Sequence, residues 1–427
     1  MVLRAVAELY RLKRNEWLSP SAIEKLQWRK LKRLLRHAYE NVPYYHRLFN
    51  DAGIRPEDIK SRQDLSKIPI TTKAQLQDLA PEEIMARGTD RSKCIEFRTS
   101  GSSGRPLSVY LTKREAEFFD IVWTRCFMGA GLSWKDKKVE IINMAPVPEH
   151  QKYWFQSLGI MRREYIVSLG KEGYVTGFLN KGDFDVLSSY PSVFGIFMAR
   201  MKRKDRTGRG PRLVFSAAEM LDAPTRRKIE DYLQAPVFNF YGMREFGAMA
   251  WECPPHRGFH INTDTIVLEI VRNGKAVESS ERGRIIATGL HSYAMPLIRY
   301  DTEDVGILSR KRCPCGRGLP LLESLEGRCN DFVSLPNGKI LPPGSTAFLR
   351  ELKGIRQYRI VQERVDELIV YLVLEANPSS DLVERVKEGI KASVGEAVTV
   401  GVKIVDEIPV DRSGKLRSVI SYVPVNF

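Results

Sequence analysis

The residues with the plainest chemical meaning lie in one short run, Arg98-Thr99-Ser100-Gly101-Ser102-Ser103-Gly104-Arg105-Pro106-Leu107. Gly101 and Gly104 allow positive φ and a close approach of the backbone to a ligand, while Thr99, Ser100, Ser102 and Ser103 set hydroxyls beside backbone N–H groups. Donors arranged in this way suit phosphate oxygens; the competing reading is a flexible Ser/Gly surface turn. It is not a Walker loop, because no Lys-Ser/Thr pair follows the second glycine, and the chain contains no GxGxxG. A second group is of metal-ligand type. Cys253 is followed by His256 and His260, and Cys313 and Cys315 flank Pro314 in a Gly/Pro turn. Three thiols and an imidazole match a tetrahedral structural zinc site cross-linking two loops, the alternative being reduced, unligated thiols. His256 and His260 are both open as the fourth ligand. Cys94, Cys126 and Cys329 read as packing residues, and six cysteines in 427 residues are too few for a disulfide scaffold.

The elements that must position these residues follow from pattern. The runs 94–97 and 108–112 predict a hairpin with the glycine-rich tip between them. The first twenty residues read as an amphipathic helix without a signal-peptide apolar core, and 22–39 as a helix stopped at Asn41-Val42-Pro43. Thr71-Thr72-Lys73-Ala74-Gln75-Leu76 predicts an N-capped helix start, and 113–128 a helix. Strand-type runs at 138–144, 163–169, 186–190, 213–216 and 237–241 alternate with helical or loop sequence, which predicts an α/β core with a largely parallel sheet. From 261 the character turns to β, with runs at 265–272, 283–288 and 305–309 and a turn at Asn273-Gly274, as in a small β lobe. The last stretch, with β runs at 358–361, 368–374 and 398–405 and a helix over 380–394, reads as a separate α+β domain.

At 427 residues the chain is too long for one core. With 43% hydrophobic and 28% charged residues it reads as a soluble, cytoplasmic globular protein, and no apolar run is long enough to span a membrane. The 67 Lys and Arg against 52 Asp and Glu give a net charge of +15, which favours anionic ligands. The basic residues are dispersed, which suits a phosphate-rich small molecule and does not single out nucleic acid.

Five stretches in fixed order together resemble the adenylate-forming (acyl/aryl-CoA synthetase) superfamily, and within it the phenylacetate-CoA ligase branch with its capsular-polysaccharide-associated relatives. Thr99-Ser100-Gly101-Ser102-Ser103-Gly104 is similar to the loop that holds ATP phosphates. Tyr241-Gly242-Met243-Arg244-Glu245 resembles Tyr-Gly-x-Thr-Glu, in which Tyr stacks on adenine and Glu helps to hold magnesium. In Arg299-Tyr300-Asp301-Thr302-Glu303-Asp304, Asp304 matches the aspartate that binds the ribose hydroxyls. Gly327-Arg328-Cys329-Asn330-Asp331 resembles the interdomain hinge, and Asp411-Arg412-Ser413-Gly414-Lys415 the C-terminal loop whose lysine meets the carboxylate and α-phosphate. Ala218 and Glu219 match the segment lining the adenine pocket. Three positions depart from the pattern: Arg244 stands where Thr is usual, Leu107 where many members have Lys, and Asn330 where the hinge Asp is usual.

The resemblance implies a large multi-lobed adenylation domain over 1–327, a hinge at 328–331 and a small mobile α+β domain over 332–427. Lys415, Glu245 and Arg328 become the implied catalytic residues, and His260 rather than His256 the implied fourth zinc ligand. The residue types suit the chemistry independently of that. A cation beside a carboxylate and the α-phosphate, such as Lys415, stabilises developing charge. Mg²⁺ needs a hard oxygen ligand, such as Glu245. One carboxylate, as in Asp304, grips a diol. The expected reaction is Mg-ATP-dependent conversion of a carboxylic acid, in first place an aryl acid, to an acyl-adenylate with release of pyrophosphate, then transfer to coenzyme A. The acid pocket is expected from residues 123–154 and from around 241–249. Transfer to an amine or hydroxyl is the alternative acceptor chemistry. A zinc-stapled basic nucleic-acid-binding protein is the alternative class, though the chain lacks a recognition helix or aromatic platform. A homodimer is left open.

Overall fold

The structure, a computed structural model, describes residues 2–99, 105–142, 154–167, 172–200, 208–277, 279–376, 378–409 and 416–425. The chain packs as two compact units, Met1–Gly131 with Phe240–Leu325, and Leu132–Asn239 with Glu326–Asn426.

In the first unit the expected helices form at Val2–Asn15 and Pro20–Asn41, and a further one at Pro43–Asp51. Ser19 Oγ accepts from Ala22 N at the start of the long helix, Pro20 occupies its first turn, and Val42-Pro43 ends it. Its apolar stripe of Leu31, Leu34, Leu35 and Ala38 is buried in one core with Phe49, Val267 and Ile285. Cys94–Arg98 pairs antiparallel with Ser108–Thr112, as expected for the hairpin. Thr112 and Glu115 form a capping box that starts the helix Lys113–Gly129. Ile266–Arg272, Arg282–Gly289 and Tyr300–Leu308 are consecutive antiparallel neighbours. Asn273 and Gly274, both at positive φ, make the turn after the first of them.

Among the strands that go beyond the sequence reading are Gly247–Glu252, Phe259–Ile261 and Leu321–Arg328. All six residues of Gly247–Glu252 are buried, so no inside-outside alternation marks the strand. The other two are a three-residue strand and one of mixed polarity.

In the second unit, Leu213–Ala217, Val186–Ser189, Lys137–Ile142 and Arg162–Val167 lie side by side in that order, all parallel. Val139, Ile141, Leu187 and Val214 meet Phe194 and Ile229 from the helices Pro191–Arg200 and Ala223–Leu233 in its core. The expected α+β region also forms. Ile355–Arg364 pairs antiparallel with Glu367–Leu374, Thr399–Ile404 and Val419–Ser421 add in parallel, and Val386 and Ile390 of the helix Leu382–Val394 seal one face. Val237–Met243 begins in the second unit and ends in the first. No helix among the described residues is long and apolar enough to cross a membrane.

Candidate functional site

Thr99 closes the neck of the glycine-rich loop. Its N–H donates to Leu107 O at 2.9 Å, and its Oγ1 accepts from Leu107 N at 2.9 Å. The loop is thereby pinned at both ends, while Ser100, Gly101, Ser102, Ser103 and Gly104 themselves lie outside the described residues, as does Lys415. Leu107 is buried, as an apolar side chain prefers.

Tyr241, Gly242, Met243, Arg244 and Glu245 run through the tight connection between Val237–Met243 and Gly247–Glu252, with Met243 opposite Gly247 in register. Phe246 N donates back to Met243 O at 3.3 Å, and Gly247 takes a φ of +67°, which favours glycine. Tyr241 and Glu245 are buried and Arg244 is exposed. The ribose motif meets this hairpin twice. Tyr241 donates its hydroxyl proton to Asp304 Oδ2 at 2.8 Å, and Tyr300 donates its hydroxyl to Glu245 Oε1 at 3.3 Å. Burial raises the Tyr300 hydroxyl well above the usual phenol range, and the Glu245 and Glu303 charges add to this, so it stays a donor. Asp304 N donates to Thr302 Oγ1 at 3.2 Å, and Glu303, at φ +61°, turns the chain at that point. The buried Arg299 fixes the start of the motif, its Nε 3.1 Å from Glu269 Oε2. Two carboxylates from separated motifs thus lie beside one hairpin, each held by a tyrosine. The sequence reading quoted Tyr300 without a role; its place inside the motif was the available signal.

In the second unit Ala218 sits at φ +69°, a conformation costing a non-glycine residue of order 1–3 kcal/mol, directly after the strand Leu213–Ala217. Glu219 accepts from Ser192 N at 2.9 Å and from Ser192 Oγ at 2.8 Å, which joins this segment to the start of the helix Pro191–Arg200. That partnership was not read from sequence, although Pro191-Ser192 is a helix-start pair. Gly327, at φ +109°, leads into Arg328, whose N–H donates to Asp331 Oδ2 at 3.3 Å, and Arg417 Nε donates to Asp331 Oδ1 at 3.0 Å. Asp331, one residue after Asn330, thus accepts from both Arg328 and Arg417.

Cys253, His260, Cys313 and Cys315 converge in the first unit, their ligand atoms all within 4.8 Å of one another. Cys253 Sγ is 3.4 Å from Cys313 Sγ, and His260 Nε2 lies 3.2 Å from Cys253 Sγ and 3.3 Å from Cys315 Sγ. Ligands on one tetrahedral zinc ion stand about 3.5–3.8 Å apart, given bonds of about 2.0–2.3 Å. All six cysteines are free. Burial, with the Arg317 charge adding to it, pushes the His260 imidazole down to about 4, so it is neutral at pH 7 as a ligand must be. His256 turns elsewhere, its Nδ1 3.4 Å from Glu252 Oε2. The loop carrying Cys313 and Cys315 is tied down by Arg317, whose Nε is 2.7 Å from Glu16 Oε2 and whose guanidinium lies 5.0 Å from the Trp17 ring centroid.

Residues 334–422 match the family model of the CapK C-terminal domain. The chain is 26% identical over 446 aligned positions to the phenylacetate-coenzyme A ligase of Thermus thermophilus, covering 95% of this chain and 98% of that protein. It is 29% identical over 343 positions to the phenylacetate-coenzyme A ligase of Escherichia coli, covering 77% and 76%. A 2-hydroxyisobutyryl-CoA ligase in the postadenylation state, in complex with 2-HIB-AMP, superposes with a TM-score of 0.79 at 19% identity over 96% of this chain and 91% of that one. The anthranilate CoA ligase AuaEII in complex with anthranoyl-AMP superposes at 0.58 with 14% identity, over 78% and 67%. At such identities the structural likeness establishes the fold.

Proposed function

This chain is a homologue of the phenylacetate-CoA ligases with the fold of the adenylate-forming CoA ligases, and from that premise we propose that it activates a carboxylic acid with ATP and transfers the acyl group to coenzyme A. The observation that carries the proposal is the double tie between the Tyr241–Glu245 hairpin and the ribose motif, at 2.8 Å and 3.3 Å. Those ties bring two carboxylates to one hairpin, as a nucleotide with a diol at one end and a metal-bridged phosphate chain at the other requires.

In this reading Asp304 accepts from the ribose hydroxyls and Tyr241 offers its ring to adenine, with Ala218 and Glu219 assigned to the adenine pocket. The buried carboxylate of Glu245 has the oxygen chemistry to hold Mg²⁺, which supplies charge neutralisation on the phosphates. Thr99 and the loop after it bind phosphate oxygens. Lys415 balances the negative charge gathered as the acid's carboxylate approaches the α-phosphorus. Arg328 to Asp331 is the hinge about which the C-terminal lobe turns between the two half-reactions. Cys253, His260, Cys313 and Cys315 fit a structural Zn²⁺ in donor set and spacing, and the ion would supply a cross-link between strands and loop.

Exchange of labelled pyrophosphate into ATP, dependent on an added acid from an aryl and aliphatic panel, tests the first half-reaction. Thioester formation on adding coenzyme A tests the second. Exchange with at least one acid is expected, and absence of ATP binding would sink the proposal. A second acceptor chemistry, transfer of the acyl group to an amine or hydroxyl, would be read in the same assay as acid-dependent exchange without thioester.

A further inference from the structure

Phe119, Trp123 and Phe127 follow one another at four-residue intervals on the helix Lys113–Gly129, so they form one stripe along it. All three are only half-buried. The stripe faces the hairpin that carries the nucleotide motif. A Cβ added to Gly242 would lie 2.7 Å from Trp123 Cζ2, and one added to Gly247 would lie 3.0 Å from Phe119 Cδ2. The two glycines of the hairpin are therefore the positions at which these aromatics reach the backbone. The Trp123 and Phe127 rings stack with centroids 5.6 Å apart at 25°, and Phe127 meets Phe240 edge-on at 5.0 Å. The helix's Arg125 is buried elsewhere, 2.8 Å from Asp264. The result is an aromatic wall whose Trp123 indole meets the hairpin at Gly242, one residue from Tyr241 and three from Glu245.

An acid activated at this hairpin must bring its carboxylate to the nucleotide's α-phosphate, so its body has to lie against whatever flanks the hairpin. We propose that the Trp123 indole is the specificity-determining wall of the acid pocket, receiving a planar aryl body on its face and limiting by its bulk how far the acid extends beside Gly242. This rests on the adenylation reading above. A substrate with one aromatic ring close to its carboxylate fills such a site, and a longer chain collides with the indole.

The test compares wild-type protein with Trp123→Ala and Trp123→Phe in pyrophosphate exchange, using benzoate, phenylacetate, 4-phenylbutyrate and octanoate, with KM for acid and for ATP measured separately. In the alanine variant the preference for short aryl acids over the two longer ones should fall by at least roughly tenfold, through KM for the acid, with KM for ATP unchanged. Trp123→Phe should lie between the two. A thermal melt guards against misfolding, and the phenylalanine variant keeps the test alive should the alanine variant unfold. Exchange by wild type and variants with the same rank order of acids would overturn this assignment alone. No exchange by wild type with any acid would overturn it together with the adenylation reading.

Discussion

Tyr241 and Asp304 are 63 positions apart, yet share a hydrogen bond of 2.8 Å. Each was readable in the sequence as part of a motif, Tyr241 by its Gly242 neighbour and Asp304 as the last residue of an acidic run. That they touch was not readable, because contact across such a separation is set by strand register. The same holds for Tyr300 and Glu245, and for Arg244, whose exposure leaves the hairpin to be held by its neighbours. The pair makes a prediction about binding rather than folding. Asp304→Ala removes the proposed ribose acceptor and strands the Tyr241 hydroxyl, a loss of about 1–3 kcal/mol for a hydrogen bond to a charged group, or roughly a ten- to hundredfold rise in KM for ATP. Tyr241→Phe keeps the carboxylate and should raise that KM several-fold less. Exchange rates at varied ATP decide it: equal effects of the two substitutions, or an unchanged KM with a lower melting temperature, would confine the pair to holding the fold.

At the scale of elements, the legible parts were those with a periodic signal: the long amphipathic helix, the hairpin around the glycine-rich loop, and the well-separated parallel strands. Gly247–Glu252 was illegible because it is buried on both faces, and it is the strand that delivers Cys253 to the cluster. Sequence supplied the four ligand types of that cluster and left two histidines open, and His260 is the one brought in by its pairing with Leu321. The strands Gly247–Glu252 and Phe259–Ile261 and the loop of Cys313 and Cys315 bring their ligand atoms within 4.8 Å of one another there, so an ion would cross-link all three and matter to stability. Cys313→Ser should therefore lower zinc content below one per chain and cost about 2–4 kcal/mol, a fall in melting temperature of roughly 5–15 °C. Metal analysis and melts with and without a chelator check it. A variant that keeps its melting temperature, together with chelator-insensitive wild type, would mean that the thiols are simply buried.

For the molecule as a whole, the question is how the segment that matches the CapK C-terminal domain is held within its unit. Besides the Arg417–Asp331 pair, the helix Ala223–Leu233 and its cap Asp222 hold it through polar contacts. Arg350 Nε lies 2.7 Å from Asp222 Oδ2, Arg227 Nη2 lies 2.7 Å from Glu351 Oε1, and Lys228 Nζ donates to the Arg350 carbonyl. Arg350 also donates to Ser418 Oγ at 2.9 Å, close in sequence to the loop that carries Lys415. Nothing in the sequence marked Arg350, since it ends the short 3-10 helix Pro343–Arg350 and its partner is the helix-capping Asp222, which accepts from Thr225 N at 2.8 Å. Arg227 and Glu351 are both well exposed, so that pair contributes under about 1 kcal/mol. Asp222 is nearly buried, so losing Arg350 leaves a carboxylate largely unpaired, at a cost of about 1–3 kcal/mol once the partial exposure of the arginine is allowed for. A turn of the lobe about Arg328 to Asp331 would have to break this latch, so Arg350→Ala should weigh on the two half-reactions unequally. On the proposed hinge motion, with adenylation assigned to the latched arrangement, pyrophosphate exchange should fall by roughly 5–150-fold, while thioester formation from added acyl-adenylate and coenzyme A should hold or rise. Arg227→Ala should change both by less than about fivefold. If Arg350→Ala slowed both half-reactions to the same degree, the arginine would be a fixed structural tie and the lobe would not leave this helix during the cycle.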